Sequence, residues 1–400
     1  MGFREGESPV VASGASYPLS IPSPSGPRLG IYVHCLFCRR RCPYCDFNVA
    51  IYRSDRLAAL VEALDAEIRL YAGEGWGRPA AVPSVFLGGG TPSLLDAGQV
   101  RTLLASIRSA FSVLGDAEIT LEANPEGLTQ DRLRGFREAG ITRLSLGVQS
   151  LDDLMLKRLG REHTADEARR AYRGARLAGF DNVSVDLLYG LPGQDLSHWK
   201  TTLDEVFDWS PDHVSAYALT IEPRTLFARR PLPNLPDEEE QVAQYHLLLE
   251  RAEAAGYEAY EISNFARPGF RSVHNQLYWR GEEYLGLGPG AHSHIDGVRF
   301  SNFRSQTAYR REVLAGRTPI EWHETLSSAD RLAERIIFGL RLKEGVPLGW
   351  LETRFEETPT RLESLLRRSE ERGLLARDGE RVWLTAAGRL LSDSLFAELV

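Results

Sequence analysis

From residue 29 onward, short apolar runs alternate with longer amphipathic ones, and this rhythm constrains the fold more than any other feature of the chain. The apolar runs, read as strands, are Gly30 to His34, Ser84 to Leu87, Glu118 to Glu122, Arg143 to Gly147, Asn182 to Asp186 and His213 to Ala218. Between them, helical periodicity predicts helices over Asp96 to Phe111, Thr129 to Ala139, Ala165 to Ala178 and Leu196 to Phe207, with Gly140 and Gly179 as C-caps. Strand, helix, strand at a spacing of roughly thirty residues means successive βαβ units and a parallel sheet. Six such units predict an α/β fold that curls into a partial (β/α)6 barrel.

On either side of that rhythm the chain changes character. Residues 1 to 27 are rich in Gly, Pro and Ser without periodicity, which predicts a disordered leader. The barrel is expected over 28–260, an extension over 261–316 and a C-terminal module over 317–400. In the last of these, after a linker near residues 316 to 328, helical patterns at Ala329 to Leu342 and Pro359 to Arg372 lead to Asp378-Gly379, a hairpin signal between apolar runs. Helix, helix, hairpin, helix is a winged-helix-like order.

Composition narrows the partners. With 43% hydrophobic and 26% charged residues the chain is that of an ordinary globular protein. No apolar run reaches the 18 or so residues of a membrane span, which leaves only peripheral membrane contact. A net charge of -8 argues against nucleic acid held by a general basic field. Arg39-Arg40-Arg41 is a local exception, either a solvated loop face or an attractor for an acidic ligand or electron-donor protein. Without a charged n-region followed by an apolar h-region there is no sign of export, so the cytoplasm is the expected compartment.

All four cysteines lie between positions 35 and 45. Disulfide staples would be scattered through the fold, whereas crowded thiolates are soft ligands for iron or zinc. Cys38, Cys42 and Cys45 have the spacing C-x3-C-x2-C, which lets three thiolates take three corners of a [4Fe-4S] cluster while the fourth iron stays open. A zinc site would want a second C-x2-C knuckle or histidines, and none follows. Cys35 reads as a buried small apolar residue, with Cys35-x2-Cys38 as an alternative ligand pair.

Active sites of parallel barrels gather at the C-terminal strand ends. There this sequence places the cysteine loop, then Gly88-Gly89-Gly90-Thr91-Pro92, Glu122 within Glu-Ala-Asn-Pro, Gln149 after Gly147, Asp186 before Gly190-Leu-Pro-Gly193, and Tyr217. Triple glycine fits a tight strand-to-helix turn and also leaves backbone bare for a ligand's approach. The carboxylates suit ribose hydroxyls or salt bridges within the barrel.

Taken together with Arg161 in Leu-Gly-Arg-Glu-His, these motifs resemble the radical S-adenosylmethionine (SAM) proteins of the oxygen-independent coproporphyrinogen III oxidase-like group, from about residue 29 to the C-terminus. The resemblance implies that the amino and carboxylate groups of SAM chelate the open iron, and that reductive cleavage yields a 5'-deoxyadenosyl radical. It also implies that Tyr32, Tyr44, Gly89, Gly90, Thr91, Glu122, Gln149, Arg161 and Asp186 contact SAM. Arg161 is a natural two-pronged partner for the methionyl carboxylate.

Two places bear on the task within that family. The oxidases resemble one another in a fourth cysteine two residues after the third, where this chain has Phe47. The run His274-Asn275-Gln276-Leu277-Tyr278-Trp279, with Gly286-Leu-Gly-Pro-Gly-Ala-His292-Ser after it, is similar to the heme-binding stretch of the family's heme chaperones. Imidazole is a standard axial ligand of heme iron, so the resemblance makes His274 the leading heme ligand, ahead of His292 and His294. A histidine among aromatics also fits hydrogen-bonded packing. Those chaperones read H-I-P-F-C before the cluster, while this chain reads His34-Cys35-Leu36-Phe37-Cys38 and lacks the fixed backbone angle of that proline. The expected function is a heme chaperone handing heme to acceptor proteins, the alternative a radical SAM enzyme, either a porphyrinogen decarboxylase or a methyltransferase.

Overall fold

The computed structural model describes residues 22–73, 80–230, 232–349 and 360–398. Residues 1–21 of the expected leader lie outside the described residues. Its last residues are tied down: Ser25 Oγ donates to carboxylates of Glu283 (3.0 Å) and Asp296 (2.9 Å), and Gly26 N–H to Glu283 (3.0 Å).

Six parallel strands follow one another in space as in sequence: β1 (Arg28–Cys35), β2 (Ala81–Gly89), β3 (Ser112–Ala123), β4 (Arg143–Gln149), β5 (Asn182–Tyr189) and β6 (His213–Ala218). Helices α1 (Ser54–Gly73), α2 (Ala97–Ala110), α3 (Gln130–Ala139), α4 (Ala165–Leu177), α5 (Leu196–Trp209) and α6 (Glu238–Ala254) cover one face and pack on their neighbours. Alternation decides which side chains meet them. Leu29, Ile31 and Val33 of β1 are buried under the helices, and the intervening Gly30, Tyr32 and His34 face the concave side. Local signals set the helix ends: Asp96 and Thr164 form capping boxes with Gln99 and Glu167, and Gly140 closes α3 in the left-handed region at φ 109°.

The sheet runs beyond the six expected strands. At the β6 edge it adds β7 (Glu258–Ala259) and β8 (Asn264–Ala266). After α7 (Val273–Trp279), β9 (Glu283–Leu287) joins β1 in parallel, and β10 (His292–Ile295), β11 (Val298–Asn302) and β12 (Ile320–Thr325) continue antiparallel, with α8 (Gln306–Leu314) against α1. The twelve strands run β12-β11-β10-β9-β1-β2-β3-β4-β5-β6-β8-β7, an open sheet among the described residues. Residues 320–325, expected within a linker, are therefore an edge strand. Ile-Glu-Trp-His-Glu-Thr has no apolar alternation because one side of the strand has no partner among the described residues and most of its side chains stay wet.

One buried carboxylate fastens this extension. Glu67 of α1 accepts from Gly288 N–H (2.8 Å), Asn302 Nδ2 (2.6 Å) and Tyr309 Oη (2.6 Å). Burial pushes its pKa up to about 7 against those three donors.

The C-terminal module has its own core of Leu332, Ile336, Leu340, Leu365, Leu375, Val382, Leu384 and Phe396. It comprises α9 (Ser328–Arg341), α10 (Thr360–Glu371), two short helices and a three-stranded sheet of Val346–Pro347, Leu375–Arg377 and Arg381–Leu384. The hairpin turns at Asp378, whose carboxylate accepts from Glu380 and Arg381 N–H at 2.8 and 2.7 Å. No helix among the described residues is long and apolar enough to cross a membrane.

Candidate functional site

The cysteine loop leaves the C-terminal end of β1 and is held there by backbone. Gly90 N–H donates to Cys35 O and Thr91 N–H to Phe37 O, both at 2.8 Å. A Cβ on Gly90 would lie 2.7 Å from those same two oxygens, and one on Gly89 (φ 103°) 2.5 Å from the His34 ring. The glycines thus let strand β2 press against the loop. Their amides are spent on this contact and on Glu122, which accepts from Gly89 N–H at 3.0 Å. Asn48, at the loop's far end, donates to Pro289 O (3.0 Å) and Arg304 O (3.1 Å) in the extension.

Cys38, Cys42 and Cys45 are half-buried, with Cys45 N–H closing a turn onto Cys42 O at 3.2 Å. Burial pushes the Cys38 thiol up to about 11, although Thr91 Oγ1 donates to its sulfur at 3.4 Å, and burial also raises Cys45. Clustered, partly desolvated thiols of this kind ionise readily only when a cation compensates them. Among the described residues no three His, Cys, Asp or Glu side chains form a site for a single metal ion. A cubane makes a different demand, since each thiolate meets a separate iron. Cys35 is 2% exposed and belongs to the main hydrophobic core. Phe47 is 58% exposed, so the position of a fourth cysteine faces solvent.

Arg161 stands beside this loop. Its Nη2 donates to Asn124 Oδ1 (2.6 Å) and Gly147 O (2.9 Å), Nη1 lies 3.9 Å from Cys42 Sγ, and its buried Nε has no partner among the described residues. Burial alone would lower its pKa, but Tyr44, Cys42 and Glu126 reverse that and hold the guanidinium charged. A buried, unpaired N–H on a fixed cation favours an anionic acceptor. Gln149 ends β4 at φ 66°, a left-handed conformation that costs a non-glycine residue on the order of 1–3 kcal/mol and tends to persist where a site requires it.

Glu122 and Asp186 face the same concavity. Burial, then the neighbouring Asp186, pushes Glu122 up to about 8. Asp186 is also raised by burial, against Arg143 and the hydroxyl of Ser145, which donates at 3.0 Å. Tyr32 Oη meets His34 Nδ1 at 3.1 Å, and Tyr44 packs against Phe227 beside Arg161 and Cys42. The structure therefore brings Tyr32, Tyr44, Gly89, Gly90, Thr91, Glu122, Gln149, Arg161 and Asp186 to one rim with the three cysteines. Asn124, which orients Arg161, was not singled out as a site residue, although Glu-Ala-Asn-Pro at a strand end carried its signal.

His274 lies below this rim, toward the N-terminal ends of the strands, with its ring 6.4 Å from that of Tyr32. It is 2% exposed on α7, which crosses the N-terminal ends of the strands. Ser84 Oγ engages its Nδ1 and Tyr278 Oη its Nε2, both at 2.9 Å, and its ring stacks on Phe86 at 5.0 Å. Burial and then Arg143 lower its pKa to about 3, so the ring is neutral. Glu118 anchors α7 by accepting from Val273 and His274 N–H at 3.1 Å. A short α-helix placed across the barrel floor in this way closes it.

A parallel β/α barrel whose rim carries a C-x3-C-x2-C loop, a glycine turn and inward carboxylates defines a radical SAM protein. Residues 32–206 match the Radical SAM superfamily and 326–391 the HemN C-terminal domain. The fold aligns with the structure of coproporphyrinogen III oxidase (HemN) from Escherichia coli, with a TM-score of 0.82 and 25% identity, covering 96% of this chain and 91% of that one. Similarity runs further to proteins described as heme chaperone HemW. The chain is 38% identical to that of Mycobacterium tuberculosis (strain H37Rv), over 95% of this chain and 96% of the other, and 34% identical to that of Bacillus subtilis (strain 168), over 91% and 97%. The chain belongs to the HemW family.

Proposed function

We propose that this protein is a heme chaperone that carries a [4Fe-4S] cluster and SAM and passes heme to acceptor proteins. The observation that carries the proposal is the similarity to chains described as heme chaperones over nine-tenths or more of both lengths. Phe47 supports it, because solvent stands where the oxidases place their fourth thiolate.

In this proposal Cys38, Cys42 and Cys45 hold the cluster, which supplies an open iron for chelating SAM. Arg161 Nε receives the methionyl carboxylate, and Glu122 and Asp186 accept from the ribose hydroxyls. Tyr32, Tyr44, Gln149, Thr91 and the Gly89-Gly90 turn shape the cleft around the ligand. Carbonyl oxygens of the turn are left for the ammonium group, since its amides are already engaged. Exposed Arg39, Arg40 and Arg41 beside the loop offer an acidic electron donor a landing surface, and the cytoplasm is the proposed compartment.

His274 as heme ligand requires Tyr278 to release Nε2, which costs about 1 kcal/mol for a neutral hydrogen bond, and α7 to leave the floor. Hemin titration after anaerobic cluster reconstitution tests the function. A Soret shift is expected, and one unchanged in His274→Ala removes His274 from the iron. The fold's likeness to coproporphyrinogen III oxidase keeps a second reading in view. Conversion of coproporphyrinogen III to protoporphyrinogen IX by this protein would replace the chaperone proposal.

A further inference from the structure

His274 is shut in, but another histidine on the same concave face is open. The register β1-β9-β10-β11-β12 aligns Tyr32, Gly286, His292, Ser301 and Trp322 in one row across five strands. The alternate residues Ser293, Ile295 and Phe300 point the other way and are buried. One step toward the floor, the row of Tyr284, His294, Arg299 and Glu324 is covered by α9, through the ion pair of Arg299 with Glu334. The upper row has no such cover. His292 is exposed, Trp322 is 38% exposed, and no hydrogen bond engages the His292 ring among the described residues.

The row has the shape and charge that a flat anionic macrocycle needs. On one side of His292 is Gly286, where the His292 carbonyl and Ala291 fill the space a Cβ would take, so the chain itself packs closely there. On the other is the small Ser301, and beyond it the indole of Trp322. From the Ser301 side a planar ring can approach the imidazole without meeting a bulky side chain and end against an aromatic wall. Arg304 lies at the rim close enough to influence both His34 and His292. Its backbone is fixed by Asn48 and Glu321, while its guanidinium has no partner among the described residues. A free cation at the edge of the row suits a carboxylate.

We propose that His292 is an iron ligand for heme in this conformation, with the porphyrin lying over Ser301 toward Trp322 and a propionate on Arg304. The proposal rests on the heme-chaperone reading and names the site at which cargo is first held. Rings continue from this face to the floor: His294 to Tyr284 (6.3 Å), Tyr284 to Tyr278 (4.7 Å) and Tyr278 to His274 (4.9 Å). The covered row below the accessible one and the buried motif are thus parts of one aromatic layer.

The test is hemin titration of the full-length, cluster-reconstituted chain, comparing wild type with His292→Ala, His292→Cys and His274→Ala. Cluster absorbance serves as the control for folding. His292→Ala is expected to weaken hemin binding by at least the roughly 10- to 100-fold that losing even a supporting partner costs a metal site. His292→Cys is expected to restore binding with the altered Soret band of a thiolate ligand, which a merely structural role would not produce. His274→Ala is expected to retain the wild-type band. A wild-type Soret response that is unchanged in His292→Ala overturns this assignment alone. The absence of any response in the wild type overturns it together with the heme-chaperone reading.

Discussion

The two ends of the barrel interior are built from the same residue types to opposite purposes. At the floor the first amides of α7 and its histidine are answered: Glu118 takes the amides of Val273 and His274, and both His274 nitrogens have hydroxyl partners, while the Trp279 indole N–H at the helix end has none among the described residues. At the mouth, groups are left wanting, with Arg161 Nε unpaired, carboxylates pushed toward neutrality and Gln149 strained. A satisfied polar network gives rigidity, and an unsatisfied one awaits a ligand. The floor is structure in this conformation, and the mouth is a site.

The largest effect expected of that contrast lies at the mouth. Cys38→Ala should abolish the cluster, with iron content falling close to zero, whereas Cys35→Ala should retain it because that thiol sits in the core. Next, Arg161→Ala should weaken SAM binding by about 10- to 100-fold in equilibrium dialysis, matching the 1.5–3 kcal/mol of a charged hydrogen bond. At the floor, Glu118→Ala should cost about 2–3 kcal/mol of stability in urea unfolding, because two amides lose their acceptor and a buried Arg143 loses its ion-pair partner at 4.0 Å. Its SAM affinity should remain near wild type, and a large loss would erase the distinction between the two ends.

A further contrast is a pH dependence. Glu122 has a folded pKa of about 8 against an ordinary 4.5, so the unfolded chain loses this proton first as pH rises. Its contribution to stability is therefore harmless below 4.5 and turns increasingly unfavourable up to 8. In the ligand-free protein, Glu122→Gln should melt with the wild type at low pH and above it near pH 8. Parallel melting curves across that range would show that the carboxylate is not strained.

The barrel was legible because its signals are local and repeated. All six expected strands and their four intervening helices occur, with ends shifted by a few residues or, in β3, a longer N-terminal run. The rim followed from strand ends, and its residues do converge. The antiparallel extension stayed hidden because β10 and β11 bury polar Ser293 and Asn302 on the packed face and β12 is mostly wet, which blurs a period of two in strands of four to six residues. The setting of His274 was unreadable for a different reason. Its partner Ser84 is 190 positions away, and no spacing rule reports which hydroxyl meets which nitrogen. His34 and Asn124 were nearer the surface of the sequence, the first alternating with Tyr32 on β1 and the second two residues beyond Glu122.

Asn48 gives this arrangement a mechanical aspect. One amide joins the far end of the cysteine loop to both the Gly286–Gly290 turn and the segment after β11, and Gly290 is close enough that a Cβ there would lie 2.7 Å from its nitrogen. The thiolate loop and the strand bearing His292 are thereby linked in series. Anything that reshapes the loop, including gain or loss of what the cysteines hold, pulls on that strand through a single side chain.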